Sequence, residues 1–546
     1  MVALLALSLL ASSFASACTR PAGEGYRTDR LTVGRLEDFE SLDPLLLSGS
    51  DSVTIGPLVF SYLVTVDGRG RLAPDLAEAV PSYANGGISR DGKTIVYRLR
   101  KNVLWQDGKP LTSSDVAFTF RQVMNPRNDV PARDVYDRIA GLDTPDARTV
   151  RIRLRAPDSA VLSYFFAPDG NYTVLPEHLL AGLADLNHAA FNAMPIGSGP
   201  FRVERWSRGD ELRLVRFDRY FAGTPRLREI TIEDLASPET LLLQTRTREI
   251  DATFSGSIMQ LKDFQSIPGV RAVRAPLYGA ALLAFNLANS MVADERVRRA
   301  IVEAADLPRI VDQASGGALT VRNAGRGLYG PDDDPSIPSQ PAPDLAGANR
   351  LLDAAGWKRS GQEVRRRNGV VLAPALVYIK SRPEVEAFAV LLQARLRRAG
   401  IALSLHPYTA QLYGAPASAG GPLFGGKFEI VLLEVLTSID PSTAYFVDCD
   451  RVPPQGFNIT RYCNPAVDRA NAAGLRTYDP RARAAASAAV QRLVARDLPF
   501  VPAWQQADVA AFPTDLSGVD PSAFLVFGNV ARWHFVGAAG RREPER

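Results

Sequence analysis

Few residue types in this chain could do chemistry, and their spacing is tested first. There are four histidines (178, 188, 406, 534), three cysteines (18, 449, 463) and one glycine pattern, Gly325-Arg326-Gly327-Leu328-Tyr329-Gly330, with the spacing of a dinucleotide loop. Such a loop holds a pyrophosphate only when a helix opens directly behind it, because the helix N-terminus supplies the amides. Pro331-Asp332-Asp333-Asp334-Pro335 follows instead. By the same test residues 68–73, Gly-Arg-Gly-Arg-Leu-Ala, read as a hairpin turn. No Gly-x-Ser-x-Gly elbow is present, and four scattered histidines assemble no Ser/His/Asp set. Two cysteines without accompanying histidines make no zinc site. The expectation is a protein without catalytic residues, metal or cofactor.

Composition leads the same way. The chain has 546 residues, enough for more than one lobe, with 46% hydrophobic and 22% charged residues. A net charge of +4 with scattered arginines does not suggest a nucleic-acid partner. Arg365, Arg366 and Arg367 form a short basic run that reads as a solvated strand end or turn. Residues 3–17 are apolar or small, too short to span a bilayer, and polar sequence follows at once. That is the pattern of a secretory signal. Cys18 directly follows Ala15-Ser16-Ala17, which resembles a lipobox, so Cys18 is the expected lipidation site. Ala15 stands where Leu is commoner, and no Lys or Arg precedes the apolar core. In an oxidising compartment Cys449 and Cys463 are expected to pair, stabilising the fold by roughly 3 kcal/mol.

Several segments are needed to position whatever these residues serve. In residues 104–120, Asp107-Gly108 favours a tight turn. Thr112, Ser113 and Ser114 then offer caps for a helix with Asp115 in its first turn and Val116, Phe118, Phe120 and Val123 as its apolar surface. Residues 94–105 alternate as an antiparallel strand should. Val385, Phe388, Leu392 and Leu396 fall on one helical face, with Pro383 in the first turn, Arg397 and Arg398 in the last, and Gly400 as cap. Strands are expected at 401–406 and 428–436, so this half reads as α/β, whereas the early half is richer in hairpins.

A dozen blocks in order then resemble the family-5 extracellular solute-binding proteins, the dipeptide-, oligopeptide- and nickel-type receptors of ABC importers. They include residues 89–126, SRDGKTIVYRLRKNVLWQDGKPLTSSDVAFTFRQVMNP, and also PIGSGPFRVERW, REIDATF, DERVRRAIVEAAD, LLDAAGW and YCNPAVDRA. The resemblance implies an α/β, two-lobed periplasmic-binding-protein-like fold (type II, cluster C) with an additional α+β domain. The expected layout is signal peptide 1–17, linker 18–27, lobe I at 28–57, 198–280 and 498–540, additional domain 58–197, lobe II 281–497 and tail 541–546. Residues 104–120 then belong to the additional domain and are architectural. The lobes would close around a small-molecule or peptide ligand. Implied partners are the ABC transporter permease subunits and, through the lipid anchor, a membrane. The expected state is a monomer, periplasmic or at the cell surface.

The resemblance also proposes a site. Ser48, Gly49 and Ser50 match a stretch lining the first-lobe wall, with a loop-only role as the alternative. Ser255, after the strand ending EIDATF, and Tyr278, at the crossover to the second lobe, are further candidates. Trp504 falls where the family often has a cleft aromatic, with ordinary core as the alternative. Arg382 would reach a ligand carboxylate, or else be a solvated arginine. Peptide binders of this family carry a Trp and, three residues later, an Asp that pairs with the peptide amine, in a segment ending Asp-Pro. Here Asp440-Pro441 is kept, Glu434 holds the Trp position and Thr437 the Asp position. Either Glu434 supplies the charge or the ligand lacks that amine, because an ammonium is costly to enclose unpaired. Peptide is the expected solute; a non-peptide solute (opine, sugar, metal chelate) and an exported sensory or chaperone-like role are the alternatives.

Overall fold

The computed structural model describes residues 29–536, apart from 37, 48, 132, 171, 322–323, 362, 381, 437, 441 and 521–524. The expected signal and Cys18 lie outside the described residues. Strand β1 (Arg30–Arg35) buries Leu31 and Val33 and leads to helix α1 (Gly49–Val59). Arg35 holds the start of α1 through a 2.6 Å ion pair with Asp51, in its first turn.

A separate antiparallel sheet follows, built from β2 (Thr94–Arg98), β3 (Ile139–Asp146) and β4 (Thr149–Leu154) in the order β2–β4–β3, with helix α2 (Ser113–Met124) against it. Its alternation is that of a half-buried strand: Ile95, Tyr97, Val150 and Ile152 are buried. The turn at Asp107-Gly108 forms, with Gly108 at φ 91° and the Trp105 N–H donating to the Lys109 carbonyl at 2.8 Å. At α2 the Asp115 carboxylate accepts the Thr112 N–H at 2.8 Å, and Val116, Phe118 and Val123 are buried. Residues 68–73 lie in a hairpin whose strands are Val64–Val66 and Leu72–Pro74.

The main sheet takes its remaining strands from the rest of the chain. These are β5 (Phe201–Ser207), β6 (Glu211–Arg216), β7 (Glu229–Asp234), β8 (Ala252–Gly256) and β9 (Val270–Phe285). Helix α3 (Glu295–Ala305), β10 (Ala375–Ile379), helix α4 (Pro383–Arg398), β11 (Ser404–Tyr408) and β12 (Ile430–Leu436) come next. Helices α5 (Pro465–Leu475) and α6 (Pro480–Asp497) precede β13 (Phe500–Pro513). The strand order is β11–β10–β12–β9–β13–β8–β1–β7–β6–β5. Helix α4 matches the periodicity read above, including Gly400 at φ 77° beyond its end.

Two long strands join the lobes. On one side β9 and β13 pair through 270–276 with 507–513, and β13 continues to β8. On the other they pair through 280–284 with 500–505, and β9 continues to β12. The register breaks between Pro276 and Ala280, where the chain passes from one half to the other. Gly279 sits in that break, and a Cβ there would meet the Val435 carbonyl at 2.8 Å and the Gln506 side chain at 2.3 Å. Only glycine fits so close an approach.

One core unites β1 and β8 with the additional domain, a second runs beneath α3 and α4 across β9 and β13, and a third covers the opposite face of β12. Cys449 and Cys463 form a disulfide with Cα atoms 4.5 Å apart. The expectation for Arg365 is corrected: it is 2% exposed, donating to Ala399, Trp357, Asp353 and Asn349 at 2.6–2.8 Å. Four fixed acceptors match the guanidinium fork and replace water. Among the described residues no helix is long and apolar enough to cross a membrane.

Candidate functional site

The seam between the lobes is framed by the ends of β8, β12 and α4 and by the break in β9. Ser48 and Thr437 lie outside the described residues. Gly49 and Ser50 open α1, and Tyr278 lies on β9 inside the register break. Ser255 is on β8; its N–H donates to Thr253 Oγ1 at 3.3 Å, while its own hydroxyl is buried without a partner. A buried hydroxyl of this kind has lost its water and gained nothing in exchange.

Arg382 precedes α4 and places Nη1 3.7 Å from Asp508 Oδ1 on β13. Glu434 is half-buried on β12, opposite Ala281, and accepts from Gln506 Nε2 at 2.9 Å. Trp504 also pairs with Ala281, but its indole is 3% exposed and packs edge-on against Phe388 of α4, centroids 5.1 Å apart. In this arrangement Trp504 is core, because the apolar face of α4 lies directly on it. Asp440 is committed to protein: Oδ1 accepts the Ser442 N–H at 3.0 Å and Oδ2 pairs with Arg483.

Two further carboxylates share the region with Glu434. Glu384, in the first turn of α4, is 4% exposed and leaves Oε2 buried without a partner. Burial raises its pKa, Glu434 adds to this, and Arg382 opposes it. Asp508 is pushed up to about 6, chiefly by burial; Glu384 and Glu434 act in the same direction and Arg382 against. Gln506 is 7% exposed, and its Oε1 also lacks a partner. Sequence reasoning missed Glu384, Gln506 and Asp508. One signal was available: Asp508 is the sole charged residue in the 14-residue strand β13.

The segment after β12 is fixed from the additional domain. Asp169 accepts from Ser438 Oγ at 2.6 Å, the Ile439 N–H at 2.7 Å and the Asp440 N–H at 3.1 Å. Burial raises its pKa to about 6 against the pull of these bonds. A second tie joins the same domains, where the Tyr478 hydroxyl donates to the Gly92 and Asp158 carbonyls at 3.0 and 3.1 Å. Among the described residues, the arrangement holds polar groups along the seam and pairs no nucleophile with a base. Among the described residues, no group of three His, Cys, Asp or Glu could hold a metal ion.

The geometry agrees with what the chain is similar to. The family model described as "Bacterial extracellular solute-binding proteins, family 5 Middle" matches residues 71–450. Protein XP55 of Streptomyces lividans is 30% identical over 503 residues, covering 88% of this chain and 85% of that protein. A putative ABC transporter peptide-binding protein of Brucella ovis is 27% identical over 422 residues, covering 76% and 77%. Among solved structures, the oligopeptide-binding protein AppA of Bacillus subtilis, in complex with a nonapeptide, superposes with a TM-score of 0.72. It is 21% identical, and the match covers 93% of this chain and 99% of AppA.

Proposed function

The chain belongs to the family-5 bacterial extracellular solute-binding proteins, and from that premise we propose that it captures a peptide between its lobes and delivers it to an ABC permease. Members of this family act outside the cytoplasm as binding proteins and not as enzymes. The observation that carries the reading is the pair of strands, β9 and β13, that run through both lobes and lose register between Pro276 and Ala280. Two lobes joined through such strands can rotate about them, and a seam with unpaired polar groups gives closure a reason. The peptide class rests on the relatives' names, a peptide-binding protein of Brucella ovis among them. Ser255, Tyr278, Arg382 and Glu434 are proposed to face the solute, with the stretch Ser48–Ser50 and Thr437 flanking it. Asp440 and Trp504 are proposed to shape the cleft from behind.

Export, with anchorage of a monomer through Cys18, completes the proposal; Cys18→Ser is expected to move the protein from the membrane fraction to the soluble one. Peptide capture is tested by thermal shift of the mature domain against pools of defined di- to octapeptides. A pool member at a hundredfold its dissociation constant adds about 2.7 kcal/mol, and melting temperatures unmoved by every pool would reject the reading.

A further inference from the structure

Three carboxylates, from three different elements, surround the packing of α4 on β12 and β13. Glu434 on β12 and Trp504 on β13 both pair with Ala281, which places them in one row across the sheet. Glu384 stands one turn before Phe388 on α4, and Phe388 rests on that Trp504 ring. Asp508 lies further along β13, and its field is shared with both glutamates. The cation acting on Glu384 and Asp508 is Arg382. When ionised, the three carboxylates outnumber that guanidinium.

Their remaining partners do not offset that excess. Glu434 receives only a neutral amide hydrogen from Gln506. Glu384, a residue 4% exposed, has a buried oxygen with no partner. Gln506, bonded into the same group and 7% exposed, has another. Enclosing an unpaired carboxylate is expensive, so this group of side chains is incomplete without a positive partner. A metal ion is the wrong size for it: no three acidic or imidazole groups among the described residues are close enough to share one. An ammonium with three donors, or a guanidinium with five, spans a wider spread of oxygens.

We propose that the seam selects a solute carrying an organic cation, which Glu384, Glu434 and Asp508 receive. The inference rests on the reading that the solute binds between the lobes, and it names the solute's chemistry. A peptide has two sources of such a cation, its amino terminus and a basic side chain.

The test is calorimetry of the full mature chain and a Glu384→Gln/Asp508→Asn variant against agmatine, Ala-Arg-Ala, Ala-citrulline-Ala, Ala-Ala-Ala and N-acetyl-Ala-Ala-Ala. Citrulline keeps the shape of arginine without its charge. Melting curves serve as the folding control, and the variant, relieved of buried carboxylates, is expected to melt no lower than wild type. For the wild type, a preference of about thirtyfold or more is expected for the charged member of one pair, as for a buried charge left unpaired. Arginine over citrulline assigns a side-chain cation; free over acetylated trialanine assigns the amino terminus. Either preference must collapse to within about threefold in the variant. Agmatine binding that the variant loses, with no peptide bound, supports the cation site and rejects the peptide reading. Peptides bound without a charge preference, or a preference surviving in the variant, overturn the cation site and leave the peptide reading intact. No binding by any of the five overturns the cation site.

Discussion

Replacing Asp169 by alanine should loosen the segment that β12 delivers to the seam. In the wild type this one carboxylate receives Ser438 Oγ, the Ile439 N–H and the Asp440 N–H. The Asp440 N–H has a second acceptor, Ser438 Oγ at 3.1 Å, so its loss is partly made good. The Ile439 N–H has no such reserve, and Ile439 is 6% exposed. An orphaned buried donor costs about 1–3 kcal/mol, and loss of the bond at Asp440 adds about 1 kcal/mol, giving about 2–4 kcal/mol of local stability. Because a chain of several lobes need not unfold in one step, the assay is hydrogen-exchange mass spectrometry of peptides spanning 436–443. If exchange proceeds through local opening, 2–4 kcal/mol corresponds to exchange about thirty- to a thousandfold faster. Asp169→Asn keeps one carbonyl oxygen for Ile439 and should cost less than half as much. It also removes a titration. The folded pKa of Asp169 is about 6, above its ordinary 3.8, so its stabilising contribution is complete below about pH 4 and lost as pH rises through 6. The deficit of the Asn variant should therefore shrink between pH 4 and pH 7. Unchanged exchange in Asp169→Ala would refute the claim that the additional domain holds this segment.

Three more outcomes follow from the same structure. Trp504→Ala should lower stability by about 3–5 kcal/mol, because it empties a site packed against Phe388; a wild-type melting curve would return Trp504 to the exposed cleft wall. Replacing Cys449 and Cys463 together by serine should cost about 3 kcal/mol by urea denaturation, since their loop is closed by the disulfide; unchanged denaturation would show that the loop is already held by its other contacts. Burial raises Asp43, Asp75 and Asp234 to about 7 and Asp448 and Asp508 to about 6. With folded values above unfolded ones, their contribution is largest below about pH 4 and is lost through pH 6–7, so the ligand-free protein should melt higher at pH 5 than at pH 7.5; scanning calorimetry at the two values checks the sign.

What could be read from sequence was local. Helix α4 announced itself through Pro383, the apolar face Val385-Phe388-Leu392-Leu396 and Gly400, all separated by less than twenty residues. The start of α2 behind Thr112 and the turn at Gly108 were legible for the same reason, whereas the bond from the Thr112 N–H to Asp115 was not read. The crossover strands were not. Strand β9 runs through both lobes with Pro276 and Gly279 inside it, residues that ordinarily mark a strand's end. Strand β13 spends most of its length buried, so its pattern shows no alternation of polar and apolar positions. The site was harder still. Glu384 looks like a helix-dipole partner until Asp508, 124 positions later, is folded beside it, and Asp169 is 269 residues from Ser438. Family resemblance pointed to Glu434 and Arg382 because they sit beside recognisable landmarks. It pointed equally to Trp504, where only the packing of Phe388 reveals a buried ring.

Native mass spectrometry of the mature chain, purified without denaturation and exposed to the pooled peptides, tests solute capture most directly. One new species is expected, the chain plus a single peptide mass, that persists through buffer exchange and disappears on unfolding. A spectrum showing only the bare chain mass against every pool, from a sample that is folded by its melting curve, would contradict it.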